Sequence, residues 1–126
     1  MNGDNFLIDT NIIIYLAQRK LRISDFVKEE SNLYISSITY IETLGYSFPS
    51  HDEEKAIIKL CKTFERLFLT KEVEEQTILI RKSNKVKLPD AIIAATAMVY
   101  NLTLVTRNSD DFKRIQGLNV LNPFLT

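Results

Sequence analysis

The chain has 126 residues, of which 45% are hydrophobic and 25% charged, and its 16 basic and 16 acidic side chains cancel. This length predicts one domain over residues 1–126, no apolar run reaches the roughly 18 residues that span a bilayer, and one cysteine cannot form an internal disulfide. Because the N-terminus also lacks the pattern of a secretory leader, we expect a soluble, cytoplasmic protein with no membrane association, and its neutral net charge gives no general reason to expect nucleic-acid binding.

Short apolar runs alternate along the chain with longer amphipathic segments. Runs typical of buried parallel strands cover residues 6–8, 33–36, 67–69 and 103–106. Apolar residues at helical spacing predict helices over residues 11–19, 22–30, 37–46, 53–66, 71–83 and 89–100. The alternation predicts an α/β fold, with a central parallel β-sheet of about four to five strands flanked by helices on both faces. Ligands of such sheets bind at the carboxyl ends of the strands.

Two acidic residues interrupt apolar segments in the first third of the chain, one at a strand end and one within a predicted helix. Asp9, in "NFLIDTNIIIYL", ends the first strand, where an Asp commonly caps the following helix. In "SSITYIETLGY", Ser37 is a candidate helix cap and Glu42 falls beside the apolar face of the helix. A carboxylate there is costly unless a partner compensates it.

Further acids come late in the chain. Asp90, in "KLPDAIIAATA", begins a helix that is apolar nearly all round, so we expect it in the interior, kept ionised by the helix dipole. After the last strand, "LVTRNSDDF" contains Asn108 or Ser109 as candidate caps and two Asp residues, one of which could simply face solvent. Each acid alone is more typical of a cap or a surface, but several at one sheet edge predict a site.

Clustered carboxylates stay ionised only if another charge compensates them, and a divalent cation is the simplest one. The chain has a single histidine and a single cysteine, so the ligands would all be oxygen atoms. Oxygen ligands favour Mg²⁺ or Mn²⁺ over Zn²⁺. A hydrated Mg²⁺ on carboxylates is suited to phosphodiester hydrolysis.

Four motifs, in order, resemble the PIN-domain ribonucleases and, within them, the VapC toxins of prokaryotic toxin–antitoxin pairs. The motifs are "LIDTNIIIYL", "ISSITYIETLGY", "KLPDAIIAATA" and "LVTRNSDDF", and the ending "GLNVLNPF" is also similar. The resemblance implies a PIN-like fold in which the acidic metal-site residues are Asp9, Glu42, Asp90 and Asp111. It also implies that Asn11 and Thr106 orient ligands or waters. Some relatives carry an acid at the place of Asn108, which leaves Asn108 and Asp111 as alternatives for the fourth position, with Asp110 less favoured.

The same resemblance implies an endoribonuclease that cuts a structured RNA, such as a transfer or ribosomal RNA, and leaves a 5′-phosphate and a 3′-hydroxyl. It implies a homodimer and a small VapB-type antitoxin, whose C-terminal segment blocks the site, often with an arginine. The candidate RNA-binding residues are Arg81, Lys82, Lys85, Lys87 and Arg107, with Lys113 and Arg114 near them. An ordinary solvated face explains these basic residues equally well.

Other classes of protein fit the size of the chain. A PIN domain without catalysis, acting as a binding or regulatory module, is one alternative. A Mg²⁺-binding receiver domain would need a Lys at the end of the last strand, where Thr106 and Arg107 stand instead. A phosphatase of the haloacid dehalogenase type would need an Asp in place of Asn11.

Overall fold

A computed structural model describes residues 5–125, so residues 1–4 and 126 of the predicted domain lie outside it. The five strands are β1 (Asn5–Ile8), β2 (Asn32–Ser36), β3 (Glu65–Leu67), β4 (Thr103–Val105) and β5 (Asn119–Leu121). The helices are α1 (Thr10–Ala17), α2 (Ser37–Leu44), α3 (His51–Thr63), α4 (Lys71–Ser83), α5 (Leu88–Val99) and α6 (Ser109–Phe112), with a 3₁₀ turn at Ile23–Asp25. All neighbouring strands are parallel, in the order β3-β2-β1-β4-β5. The predicted α/β fold is therefore confirmed. In residues 5–125, no helix combines the length and the apolar character needed to cross a membrane.

The sheet is covered on both faces because side chains alternate along its central strand. Phe6 and Ile8 of β1 belong to a core that also contains Ile12 of α1 and Ile57 of α3. Leu7 points to the opposite core, with α4 and α5. Burial on both faces explains why β1 is apolar without interruption.

The order of the strands brings three polar strand ends together. The chain runs from β1 to β2 and β3 on one side of the sheet, and β4 and β5 lie on the other side. Asp9, Ser36 and Thr106 thus lie at or just beyond the carboxyl ends of three adjacent strands, β1, β2 and β4. The strand order reverses between the paired strands β1 and β4. The carboxyl ends of the strands at such a switch point are where parallel sheets bind their ligands.

The helix predicted over residues 22–30 is wrong. Only the 3₁₀ turn at Ile23–Asp25 forms there, because Asp25 Oδ2 accepts the backbone N–H of Arg22 at 3.0 Å and closes a single turn. Phe26 then leaves helical geometry, with φ −136°. A side chain that binds the backbone locally competes with helix propagation in this way.

The third strand and the caps also differ from the prediction. Strand β3 covers residues 65–67 instead of 67–69, because Phe64 leaves the helix early, with ψ 141°. Phe68 is 59% exposed, so that part of the apolar run lies beyond the sheet and is not core. The cap of α2 is Ser36 and not Ser37: the Ser36 hydroxyl accepts the backbone N–H of Thr39 at 3.1 Å.

Candidate active site

Asp9 is the buried centre of the polar edge, with 4% of its surface exposed. It is the N-cap of α1, and its Oδ1 accepts the backbone N–H of Thr10 at 2.8 Å. Its Oδ2 accepts the hydroxyl of Thr106 at 2.7 Å, and that hydroxyl in turn accepts the backbone N–H of Asn108 at 3.0 Å. Capping and a role in the site are thus compatible, because the two carboxylate oxygens have different partners.

The charge of Asp9 is poorly compensated by the protein. Burial raises the pKa of Asp9 from its ordinary value of 3.8 to about 6, although the hydrogen bonds from Thr106 and Thr10 lower it. The carboxylates of Asp90 and Glu42 make a smaller contribution to this increase in pKa than burial does. These repulsions indicate that Asp90 and Glu42 lie within electrostatic range of Asp9.

Glu42 lies on the exposed side of α2, so the expectation of a carboxylate beside the apolar face is wrong. Its Oε1 accepts the hydroxyl of Thr10 at 2.9 Å. Within residues 5–125 this is the only hydrogen bond to the Glu42 side chain, and Glu42 forms no ion pair there. Exposure avoids the desolvation cost of a buried charge.

Asp90 lies in the first turn of α5 and is half-buried. Burial, followed by the charges of Glu42 and Asp111, raises its pKa, while Lys87 lowers it. Desolvation and the neighbouring acids thus outweigh the favourable charge of Lys87, while the expectation that Asp90 stays ionised at the helix N-terminus remains a prediction. Asp90 therefore interacts electrostatically with Asp9 and Glu42 on one hand and with Asp111 on the other.

Asp90 is one of the residues that line an open groove of about 470 Å³. Asp111 and Asn108 also line it, as do three basic residues: Lys85, Lys87 and Arg114. Asp110 is fully exposed and pairs instead with Lys113, whose Nζ lies 2.9 Å from Asp110 Oδ1 and lowers the pKa of that carboxyl. The structure therefore brings Asn108 and Asp111 to the groove and leaves Asp110 outside it.

The other predicted basic residues have different surroundings. Arg81 lines an adjoining open depression with Lys85 and Lys87, whereas Lys82 is exposed on α4 and lines neither. The guanidinium carbon of Arg107 lies 4.6 Å from the ring centre of Phe124 and 5.1 Å from that of Tyr15. Arg107 is exposed and lies at cation–π distance from two aromatic rings, while its predicted role in RNA binding stays a prediction.

Asn11 joins two strand ends. Its Oδ1 accepts the backbone N–H of Arg107, with the two atoms 3.5 Å apart. This long contact connects the start of α1 to the loop that follows β4. Asn11 therefore lies at the site edge, while its predicted role towards ligands or waters stays a prediction.

The side chains of this edge fit a hard divalent cation in their chemistry. All four acids supply oxygen, while Cys61 is buried in the core around α3 and His51 is exposed at the start of that helix. In the part of the chain that the structure describes, no three or more acidic, histidine or cysteine side chains form a group, or cage, that could hold a metal ion. Mg²⁺ does not require such a cage, because it keeps several water ligands and uses one or two carboxylates.

The PIN domain family model matches residues 6–118 of this chain. The chain belongs to the PIN-domain family. A curated VapC1 ribonuclease from Rickettsia felis is 33% identical over 126 aligned residues, which cover 91% of this chain and 93% of the relative. This similarity places the chain among the VapC proteins of the family.

Solved structures agree with this placement. A chain of a toxin–antitoxin complex from Klebsiella pneumoniae is 32% identical, with a TM-score of 0.73, and the match covers 93% of this PIN domain and 96% of that chain. A chain of the promoter-bound VapBC2 complex from Rickettsia felis has a TM-score of 0.80 at 22% identity, over 94% of this chain and 98% of that one, which shows the shared fold.

The residue that sequence reasoning missed is Thr10. It donates to the carboxylates of both Asp9 and Glu42, through its backbone and its side chain respectively. A Thr directly after a strand-ending Asp gives the ordinary signal of a helix start. Only the packing of α2 against α1 reveals its second contact.

Proposed function

We propose that this PIN domain is a Mg²⁺- or Mn²⁺-dependent endoribonuclease and the toxin of a VapBC-type pair. The observation that carries the proposal is a groove lined by Asp90, Asp111 and basic residues, whose Asp90 is within electrostatic range of Asp9 and Glu42. The ribonuclease name of the relative from Rickettsia felis supports the same chemistry. The cation is an inference from the oxygen-only set of donors and from the raised pKa values.

The residues that would hold the ion are Asp9, Glu42, Asp90 and Asp111. When bound, such an ion lowers the pKa of a water molecule and stabilises negative charge on phosphoryl oxygens. Thr106 keeps Asp9 Oδ2 in one orientation through its hydroxyl proton. Burial of that pair excludes water from one side of the carboxylate, so Asp9 enters the reaction with a fixed geometry.

We assign the groove to the RNA backbone. Lys85, Lys87 and Arg114 would bind phosphates, and Asp90 and Asp111 at the same groove would lie next to the scissile one. Arg81 extends the basic wall along α4, and Lys82 is available on the exposed side of that helix. Because the net charge of the chain is zero, affinity for RNA would come from this local strip. A structured transfer or ribosomal RNA, cut to a 5′-phosphate and a 3′-hydroxyl, is the proposed substrate.

The proposed partners are a VapB-type antitoxin and a second copy of this chain. The solved relatives come from toxin–antitoxin complexes, which supports both partners. The arginine of an antitoxin segment would compensate the negative charges of Asp9 and Asp90 and so lower their raised pKa values, as a metal cation would. The proposed compartment is the cytoplasm, where such RNAs are found.

The experiment is cleavage of total RNA with and without Mg²⁺ or Mn²⁺, followed by mapping of the new 5′-phosphate ends. The proposal predicts a small set of discrete ends that appear only with the divalent ion. Cleavage that persists unchanged in a chelator, or products with 5′-hydroxyl ends, would reject the proposed chemistry. A short upstream reading frame for a small DNA-binding protein is the expected genetic context.

A further inference from the structure

Thr10 is bonded to two of the four acids. Its backbone N–H donates to Asp9 Oδ1 at 2.8 Å, and its hydroxyl donates to Glu42 Oε1 at 2.9 Å. Asp9 is held by a second bond from Thr106, whereas Glu42 has no other hydrogen-bond partner within residues 5–125. The position of the Glu42 carboxylate therefore depends on one hydroxyl group.

That hydroxyl is itself anchored in the protein interior. Thr10 Oγ1 lies 3.2 Å from Thr39 Oγ1, which lies 3.2 Å from Ser36 Oγ. Thr39 and Ser36 are 0% and 1% exposed, so this chain of hydroxyls starts in the buried junction of β2 and α2. A β-branched side chain with few rotamers, held by a buried partner, is a rigid donor.

We propose that Thr10 is a positioning residue, which sets the separation of the Asp9 and Glu42 carboxylates for a divalent cation. The inference rests on the proposed function and deepens it. Glu42 is exposed on a flexible stem and repelled by neighbouring acids, so without the hydroxyl its carboxylate moves away from Asp9. Loss of the Thr10 hydroxyl then weakens ion binding without removing any ion ligand.

The test compares Thr10→Val, which keeps the shape, with Thr10→Ser, which keeps the hydroxyl. The first readout is Mn²⁺ binding without RNA, followed through the electron paramagnetic resonance signal of the free ion. We expect about tenfold weaker binding for Thr10→Val, the usual effect of losing a group that orients a metal ligand, and near-wild-type binding for Thr10→Ser. Thr63→Val is the matched control, because it removes an exposed helix hydroxyl that bonds only the Lys59 carbonyl.

The second readout separates positioning from general stability. With saturating Mn²⁺, Thr10→Val should lower kcat for RNA cleavage and leave KM unchanged, because the basic groove is intact. In a Glu42→Ala background, Thr10→Val should weaken Mn²⁺ binding no further. Thr10→Ala replaces Thr10→Val in this cycle if circular dichroism shows that the valine variant does not fold.

The outcomes distinguish the two proposals. If the wild-type chain binds Mn²⁺ and Thr10→Val binds it equally well, the role of Thr10 is refuted while the proposed function stands. An equal loss with and without the Glu42 carboxylate also refutes it, because the hydroxyl would then act through another group. If the wild-type chain binds no Mn²⁺, the proposed function fails and the role of Thr10 fails with it.

Discussion

Replacing Asp9 by Asn should change how the stability of the metal-free protein depends on pH. The pKa of Asp9 is about 6 in the folded protein and 3.8 ordinarily, so folding favours the protonated form. The stabilisation from this group is fully present below about pH 3.8 and is lost as the pH rises through about 6. The asparagine side chain in the variant carries no charge, so the variant lacks this loss.

The magnitude follows from the difference between the two pKa values. Each unit corresponds to about 1.4 kcal/mol, so the ionised Asp9 costs the fold roughly 3 kcal/mol at high pH. Between about pH 4.5 and pH 7.5, the free energy of unfolding of Asp9→Asn should rise relative to wild type by about 2 kcal/mol. Asn has one fewer acceptor oxygen than Asp, so the variant also loses a hydrogen bond. That loss lowers its free energy of unfolding by a similar amount at both pH values and cancels when the two are compared.

The assay is urea unfolding of both proteins in a chelator at several pH values. Asp110→Asn is the control, because Lys113 lowers the pKa of exposed Asp110, and any change with pH should have the opposite sign. A difference between Asp9→Asn and wild type that stays constant with pH would refute the reasoning, since Asp9 would then titrate alike in the folded and unfolded chains.

Three further predictions follow from the same edge of the sheet. Asp90→Asn should raise the melting temperature of the metal-free protein in a thermal scan, because it removes a carboxylate repelled by its neighbours; a clear decrease would favour a structural capping role. Replacing Lys85 and Lys87 together by Ala should raise KM for RNA several-fold and reduce its salt dependence, with kcat unchanged, whereas Lys55→Ala on α3 should alter neither. Thr106→Val should lower the free energy of unfolding at neutral pH by about 2 kcal/mol, because a buried carboxylate loses its hydroxyl donor; urea unfolding beside the serine variant measures this, and equal losses in both variants would contradict it.

The strongly patterned parts of the fold were predictable from the sequence. Helix α4 has the predicted bounds, because Thr70 caps it and its apolar residues recur at helical spacing. Strand β1 was predicted from its apolar run, which both faces of the sheet bury. The weakly patterned elements were not: β5 is three residues long and its existence depends on pairing with β4.

The remaining predictions failed because they depend on packing between elements that are distant in the sequence. Phe68 belongs to an apolar run but is exposed beyond β3, and no local pattern distinguishes it from core. The exposure of Glu42 depends on how α2 packs, and the raised pKa of Asp90 depends on acids that are distant in the sequence. The sequence indicated Asp9 as a polar residue at a strand end, because strand ends are local features. The environments of the acids and the two hydrogen bonds of Thr10 required the packed structure.

The central claim is that the acids at this edge bind a divalent ion that RNA cleavage needs. The most direct test is the rate of RNA cleavage as a function of Mg²⁺ or Mn²⁺ concentration, for wild type, Asp90→Asn and the exposed control Asp110→Asn. We predict saturable dependence on the ion for wild type and the control, and loss of activity in Asp90→Asn despite a folded chain. Full activity of Asp90→Asn, or a wild-type rate independent of the ion, would contradict the claim.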